Sequence, residues 1–116
     1  MQLDPSVLAS LARLIRDLHE LVTLLKSGLS RAKPWQRQLA GHLAEVDQQL
    51  QVLRLTVAME RHDAEIVEAA ERVTSACRLT AAALAGSRVD PTTRTAVHLI
   101  VDLASRIYAA LSQLQG

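Results

Sequence analysis

Five carboxylates fall within twelve residues, at Glu60, Asp63, Glu65, Glu68 and Glu71. Carboxylates one helical turn apart can share a divalent cation when a neighbouring helix completes the site. Arg61 and Arg72 stand in the same run, so the simpler expectation is a solvated face with Glu68 and Arg72 paired at i,i+4. The histidines, His19, His42, His62 and His98, are scattered. None has a Glu three residues before it, so the Glu-x-x-His ligand pairs of di-iron bundles are absent. His42 and His62 each have a Glu three residues on, at Glu45 and Glu65, a spacing that suits surface hydrogen bonds. Cys77 is the only cysteine. It can form no internal disulfide, which suits a reducing, cytoplasmic setting. A nucleophilic thiol would need an activating base, and the sequence nominates none. There is no Gly-rich phosphate loop and no nucleophile elbow. These residues predict a non-enzyme with no metal, no cofactor and no small-molecule substrate.

One further group has a binding chemistry. Lys26, Arg31, Lys33 and Arg37 are the only charged residues between Leu21 and Ala44, and Trp35 stands among them. Cations meeting phosphates, with a base stacked on an indole, are the elements of a single-stranded nucleic-acid site. The same residues could meet an acidic protein surface, or form a solvated loop whose Trp closes the end of a core. Four cations bind weakly at physiological salt unless oligomerisation multiplies them. The net charge of +1 is against a protein that coats nucleic acid generally.

The elements that must position these groups are helices. Apolar residues make up 49% of the chain, with no Phe, one Trp and one Tyr, and they are chiefly Leu, Ala and Val. Leu and Ala favour helices, whereas strands favour aromatic and β-branched residues. Neither Gly nor Pro occurs between Gly41 and Gly86. Asp4-Pro5 and Asp90-Pro91 each read as an N-cap followed by a first helical proline. Ser27-Gly28 and Ala85-Gly86 read as stops, with Gly86 left-handed. Four apolar stripes follow. The first is Leu8, Leu11, Ile15, Leu18, Val22 and Leu25, widened by Leu14 and Leu21. The second is Leu39, Leu43, Val46, Leu50, Leu53 and Val57. The third is Ile66, Ala70, Val73, Cys77, Thr80 and Leu84. The last is Val97, Ile100, Val101, Ala104, Ile107, Tyr108 and Leu111, ending at Leu114.

The expected fold is all-α, an antiparallel up-down-up-down four-helix bundle, with helices at about 5–27, 34–61, 63–85 and 91–114 in a single domain, 1–116. The stripe of the second helix breaks register at Glu60 to Asp63. A tight turn there, with Asp63 as N-cap, is preferred to one continuous helix over 34–85. Arg16 with Glu20 and Asp102 with Arg106 are expected to pair at i,i+4. The topology brings Arg88 of the third loop to the basic first loop and sends the acidic segment to the other end, an electrostatic dipole. Arg13, Arg16 and Asp17 exclude a signal peptide, and no apolar run approaches a membrane span.

The second helix carries one feature its own bundle does not need. Val52, Leu55 and Met59 recur at spacings of three and four, about 180° around the helix from the core stripe. Gly41, Glu45 and Gln48 precede them on that face and His62 follows. The expected function is a protein–protein interaction module that self-associates or docks a protein partner, with Gln48, Val52, Leu55 and Met59 at the interface. The alternative is an oligomeric nucleic-acid-binding accessory subunit using Lys26, Arg31, Lys33, Trp35, Arg37 and Arg88.

Overall fold

Each helix begins and ends for a local reason. The computed structural model describes residues 5–112. They form α1 (Pro5–Gly28), α2 (Pro34–Ala58), α3 (Asp63–Leu84) and α4 (Pro91–Ser112). The cap expected at Asp4 and the apolar Leu114 lie outside the described residues. Prolines open α1, α2 and α4 at the position where a backbone N–H has no partner to lose. Asp90 caps α4: its carboxylate accepts the Thr93 N–H at 3.0 Å and the Thr93 hydroxyl at 2.8 Å. Ahead of α2, the Lys33 side chain offers no acceptor, and Gln36 compensates by accepting the Lys33 N–H at 2.9 Å through Oε1. α3 starts at Asp63 as expected, but His62 and not Asp63 is its N-cap.

The turn between α2 and α3 settles the question of one helix or two. α2 ends at Ala58, three residues short of the expected Arg61. Glu60 has φ 51, the left-handed conformation that normally selects glycine. Its N–H donates to Val57 O at 3.1 Å, and the Arg61 N–H donates to Thr56 O at 3.2 Å. These are the two bonds of a Schellman motif, built here without glycine. The α3–α4 turn uses glycine in the ordinary way. Ala85 is extended at φ −61, ψ 126, Gly86 follows at φ 83, and the Ser87 N–H returns to Leu84 O at 3.1 Å. That is a type II turn with Gly in the position that needs positive φ.

The four helices form a ring. α1 packs on α2, α2 on α3, α3 on α4 and α4 on α1. The assembly is an all-α, antiparallel four-helix bundle measuring 47 × 23 × 19 Å. Leu39, Leu43, Val46, Leu50 and Leu53 of α2 are wholly buried, and Val57 is partly buried against them. All six stripe residues of α3 are buried. So are Val67, Ala69, Thr74 and Ala76, which lie outside that stripe. α3 is rich in alanine, so α2 and α4 come close on either side and shade more of its circumference. In α1, Leu11, Ile15, Leu18 and Val22 are buried, but Leu8 is not in the core and stands 38% exposed. In α4, Val97, Ile100, Ala104, Ile107 and Leu111 are buried, with Val101 and Tyr108 at the margin. No described helix is long and apolar enough to cross a membrane.

Cross-helix polar contacts are few. Thr74 and Thr80 return their hydroxyls to the carbonyls of Ala70 and Ala76 in their own helix, and Thr74 also lies 3.5 Å from the Ala104 carbonyl of α4. The Tyr108 hydroxyl reaches Glu71 Oε1 at 3.4 Å across α3 and α4. Asp102 with Arg106 and Glu68 with Arg72 pair on the surface at 3.0 and 2.8 Å. Arg16 and Glu20 do not pair, although their spacing allows it.

Candidate functional site

The outer face of α2 is set by the same rotation that buries its inner face. Residues 39, 43, 46, 50 and 53 point inward, so residues three to four apart near 41, 45, 48, 52, 55 and 59 lie on the side opposite the core, with Glu45 at its α3 edge. Val52, Leu55 and Met59 are 39%, 61% and 62% exposed, whereas Leu50 and Leu53 beside them are wholly buried. These three lie within eight residues on one face. The other exposed large apolar side chains, Leu8, Leu24, Leu79 and Leu99, are spread over α1, α3 and α4. The N-terminal half of the same α2 face is small or polar: Gly41, Ala44, Glu45 and Gln48 are all exposed. A Cβ added at Gly41 would meet nothing within 4 Å. Glycine inside a helix costs roughly 0.5–1 kcal/mol relative to Ala. Nothing in the packing of this bundle calls for it there.

Of the two polar groups expected at the margin of this face, Glu45 is engaged within its own helix, and Thr56 beside the face is too. Gln49 donates to Glu45 Oε1 at 2.9 Å, and the Thr56 hydroxyl returns to Val52 O at 2.6 Å. Between α2 and α3 runs an open groove of ≈ 430 Å³, lined by Glu45, Gln49, Glu68, Glu71, Arg72 and Leu79. Its charges are already partnered: Glu45 by Gln49, Glu68 by Arg72, and Glu71 by the Tyr108 hydroxyl. No group of three or more His, Cys, Asp or Glu side chains among the described residues is placed to hold a metal ion. The rest of the acidic segment is dispersed. Glu65 is held below the usual carboxylate range by the hydrogen bond and charge of Arg61, at 2.8 Å.

The basic cluster is partly dismantled by the fold. Trp35 is half-buried and packs against the core, so its ring closes the end of the bundle. Arg37 turns back to donate from Nη1 to the carbonyls of Arg31 and Ala32, at 3.0 and 3.2 Å. Lys26 is half-buried, while Arg31, Lys33 and Arg88 are exposed. The first and third loops do share one end. Lys33 lies close enough to Asp90 to help lower its carboxyl, after the larger effect of the Thr93 hydrogen bonds.

Cys77 is wholly buried in α3, and burial pushes its thiol up to about 12. A neutral thiol in an apolar core is a small hydrophobe, not a nucleophile. One feature that periodicity did not reveal lies on the α1–α2 seam. His19 Nδ1 and Asp47 Oδ1 stand 3.4 Å apart, both shielded from solvent, in a geometry too poor for a hydrogen bond. Among the described residues they are the shielded side-chain polar atoms left without one. Their sequence separation is why the spacing of the histidines gave no sign of the pair.

No family model, no curated protein and no solved structure matches this chain.

Proposed function

We propose that this protein is a non-catalytic interaction module that self-associates or docks a protein partner through the outer face of α2. One observation carries the reading. Val52, Leu55 and Met59 form an exposed apolar face on a helix whose opposite face is fully occupied by the core. Scattered exposed apolar residues need no explanation, but adjacent ones on a single helix face do. Leu55 and Met59 are the anchors, Val52 joins them, and Gln48 and Glu45 form the polar margin. The lone buried thiol fits a cytoplasmic location. The test is Leu55→Asp. Its circular dichroism and melting should match the wild type, while its mass in solution falls or partner capture disappears. An unfolded Leu55→Asp would mean that Leu55 is a core residue and end the proposal.

A nucleic-acid-binding accessory subunit is the second reading. The antiparallel order of the helices, which puts the first loop with Arg31 and Lys33 at the same end as the third loop with Arg88, favours it. Trp35, packed on the core, offers little ring surface for a base to stack on. A salt-dependent mobility shift that vanishes in Arg31→Glu/Lys33→Glu would carry this reading, and no shift at low salt would remove it.

A further inference from the structure

We propose that the occupant of the α2 face is a second copy of this chain, packed antiparallel about a two-fold axis at Gln48. The inference rests on the docking reading above and adds the identity and direction of the partner.

Charge selects the direction. The loop entering α2 carries Arg31 and Lys33, with Arg37 in its first turn, and no acid. The segment leaving α2 carries Glu60, Asp63 and Glu65 against Arg61 alone. Arg61 is committed to Glu65, and Glu60 has no ion-pair partner among the described residues. Two parallel copies would set base against base and acid against acid. Two antiparallel copies set each basic entry beside the other's acidic exit, twice. Lys33 lies fifteen positions before Gln48 and Glu60 twelve after it, so at 1.5 Å per residue the two ends reach nearly the same level.

Side-chain size selects the register. A two-fold at Gln48 pairs positions whose numbers sum to 96. Leu55 then meets Gly41 of the other copy, and Val52 meets Ala44. Leu55 and Val52 of each α2 thus lie over small residues of its mate, and Met59 falls at the level of Arg37. Gly41, open above and unexplained by the bundle's own packing, becomes the place where the two backbones approach. Gln48, on the axis, meets its own copy and can hydrogen-bond to it. A two-fold contact of this kind is self-complementary and closes at two copies. A single helix pair makes an interface at the small end of the specific range, so the dimer should dissociate at roughly micromolar concentration.

The experiment is sedimentation of the whole chain over a concentration series, combined with disulfide trapping. The buried Cys77 leaves the wild type as an unlabelled control. The expected results are a concentration-dependent dimer, loss of dimer in Leu55→Asp, and a rapid intermolecular disulfide in Gln48→Cys. Ala44→Cys should not cross-link to itself, because its two copies lie eight positions apart along the axis. It should cross-link when mixed with Gln51→Cys. High salt should weaken the dimer, since the end charges are solvated. A dimer that survives Leu55→Asp, or an Ala44→Cys chain that cross-links to itself, overturns the arrangement. A wild type that stays monomeric throughout overturns the second copy as occupant. In that case the docking reading is judged separately by protein capture: capture lost in Leu55→Asp keeps it, and no capture by either chain ends it.

Discussion

Leu50 and Leu55 are five residues apart in one helix and do opposite things. Leu50 is wholly buried and Leu55 is 61% exposed. Leu50→Ala removes side-chain contacts and leaves a cavity, so it should lower stability by about 2–5 kcal/mol. Leu55→Ala should change the stability of the monomer by less than about 0.5 kcal/mol, as surface substitutions usually do. Denaturant titration of the two variants checks this directly. Asp90 and Glu65 give the acid dependence its sign. Hydrogen bonds from Thr93 hold Asp90 below its ordinary 3.8, and Arg61 holds Glu65 below its ordinary 4.5. A carboxylate depressed in the folded state contributes stability above its unfolded pKa. That stability is lost as pH falls through the lower, folded value. Stability should therefore decline below about pH 4.5. Asp90→Asn, which keeps the cap acceptor but not the charge, should show a shallower decline when melting is followed from pH 6 to 2.

At the scale of elements, the α2–α3 turn is the least expected piece. A residue with a side chain in the left-handed region costs roughly 1–2 kcal/mol, and Glu60 occupies it because α2 and α3 must reverse within four residues. Glu60→Gly removes that strain but frees the unfolded chain, so the net gain should be about 0.5–1 kcal/mol, measurable as a higher melting temperature. The helices themselves were legible in the sequence. Apolar spacing of three and four marked every buried residue of α2, because helical rotation alone decides which side chains share a face. The wide buried arc of α3 was not legible. Val67, Ala69, Thr74 and Ala76 are shaded by neighbours drawn close over alanines, which is a property of packing and not of periodicity. Leu8 failed in the opposite direction: it lies on the right stripe but near a helix end, where the bundle does not cover it.

For the whole molecule, one continuous core joins all four helices. A single shared core should unfold in one cooperative step. Cys77 sits inside that core with its thiol pushed up to about 12, so it should resist alkylation in the native protein. Its labelling in denaturant should rise over the same range as the loss of helical circular dichroism. A thiol that labels earlier would show that α3 opens on its own. The expected dipole is also a property of the whole. Loops distant in sequence share one end because the four helices run alternately up and down.

Residue spacing alone marked four helices, the inward face of α2 and most of the others, the proline starts, the glycine turn at Gly86 and the surplus apolar face of α2. Each follows from local geometry: a fixed rotation per residue, a missing N–H, a preferred φ. Contacts in the folded chain were needed to show that Trp35 packs on the core, that Arg37 bonds its own loop, that Glu60 carries the reversal and that His19 meets Asp47. These depend on where distant segments are brought together, and the spacing of residues along one helix holds no information about what the next helix sets beside them.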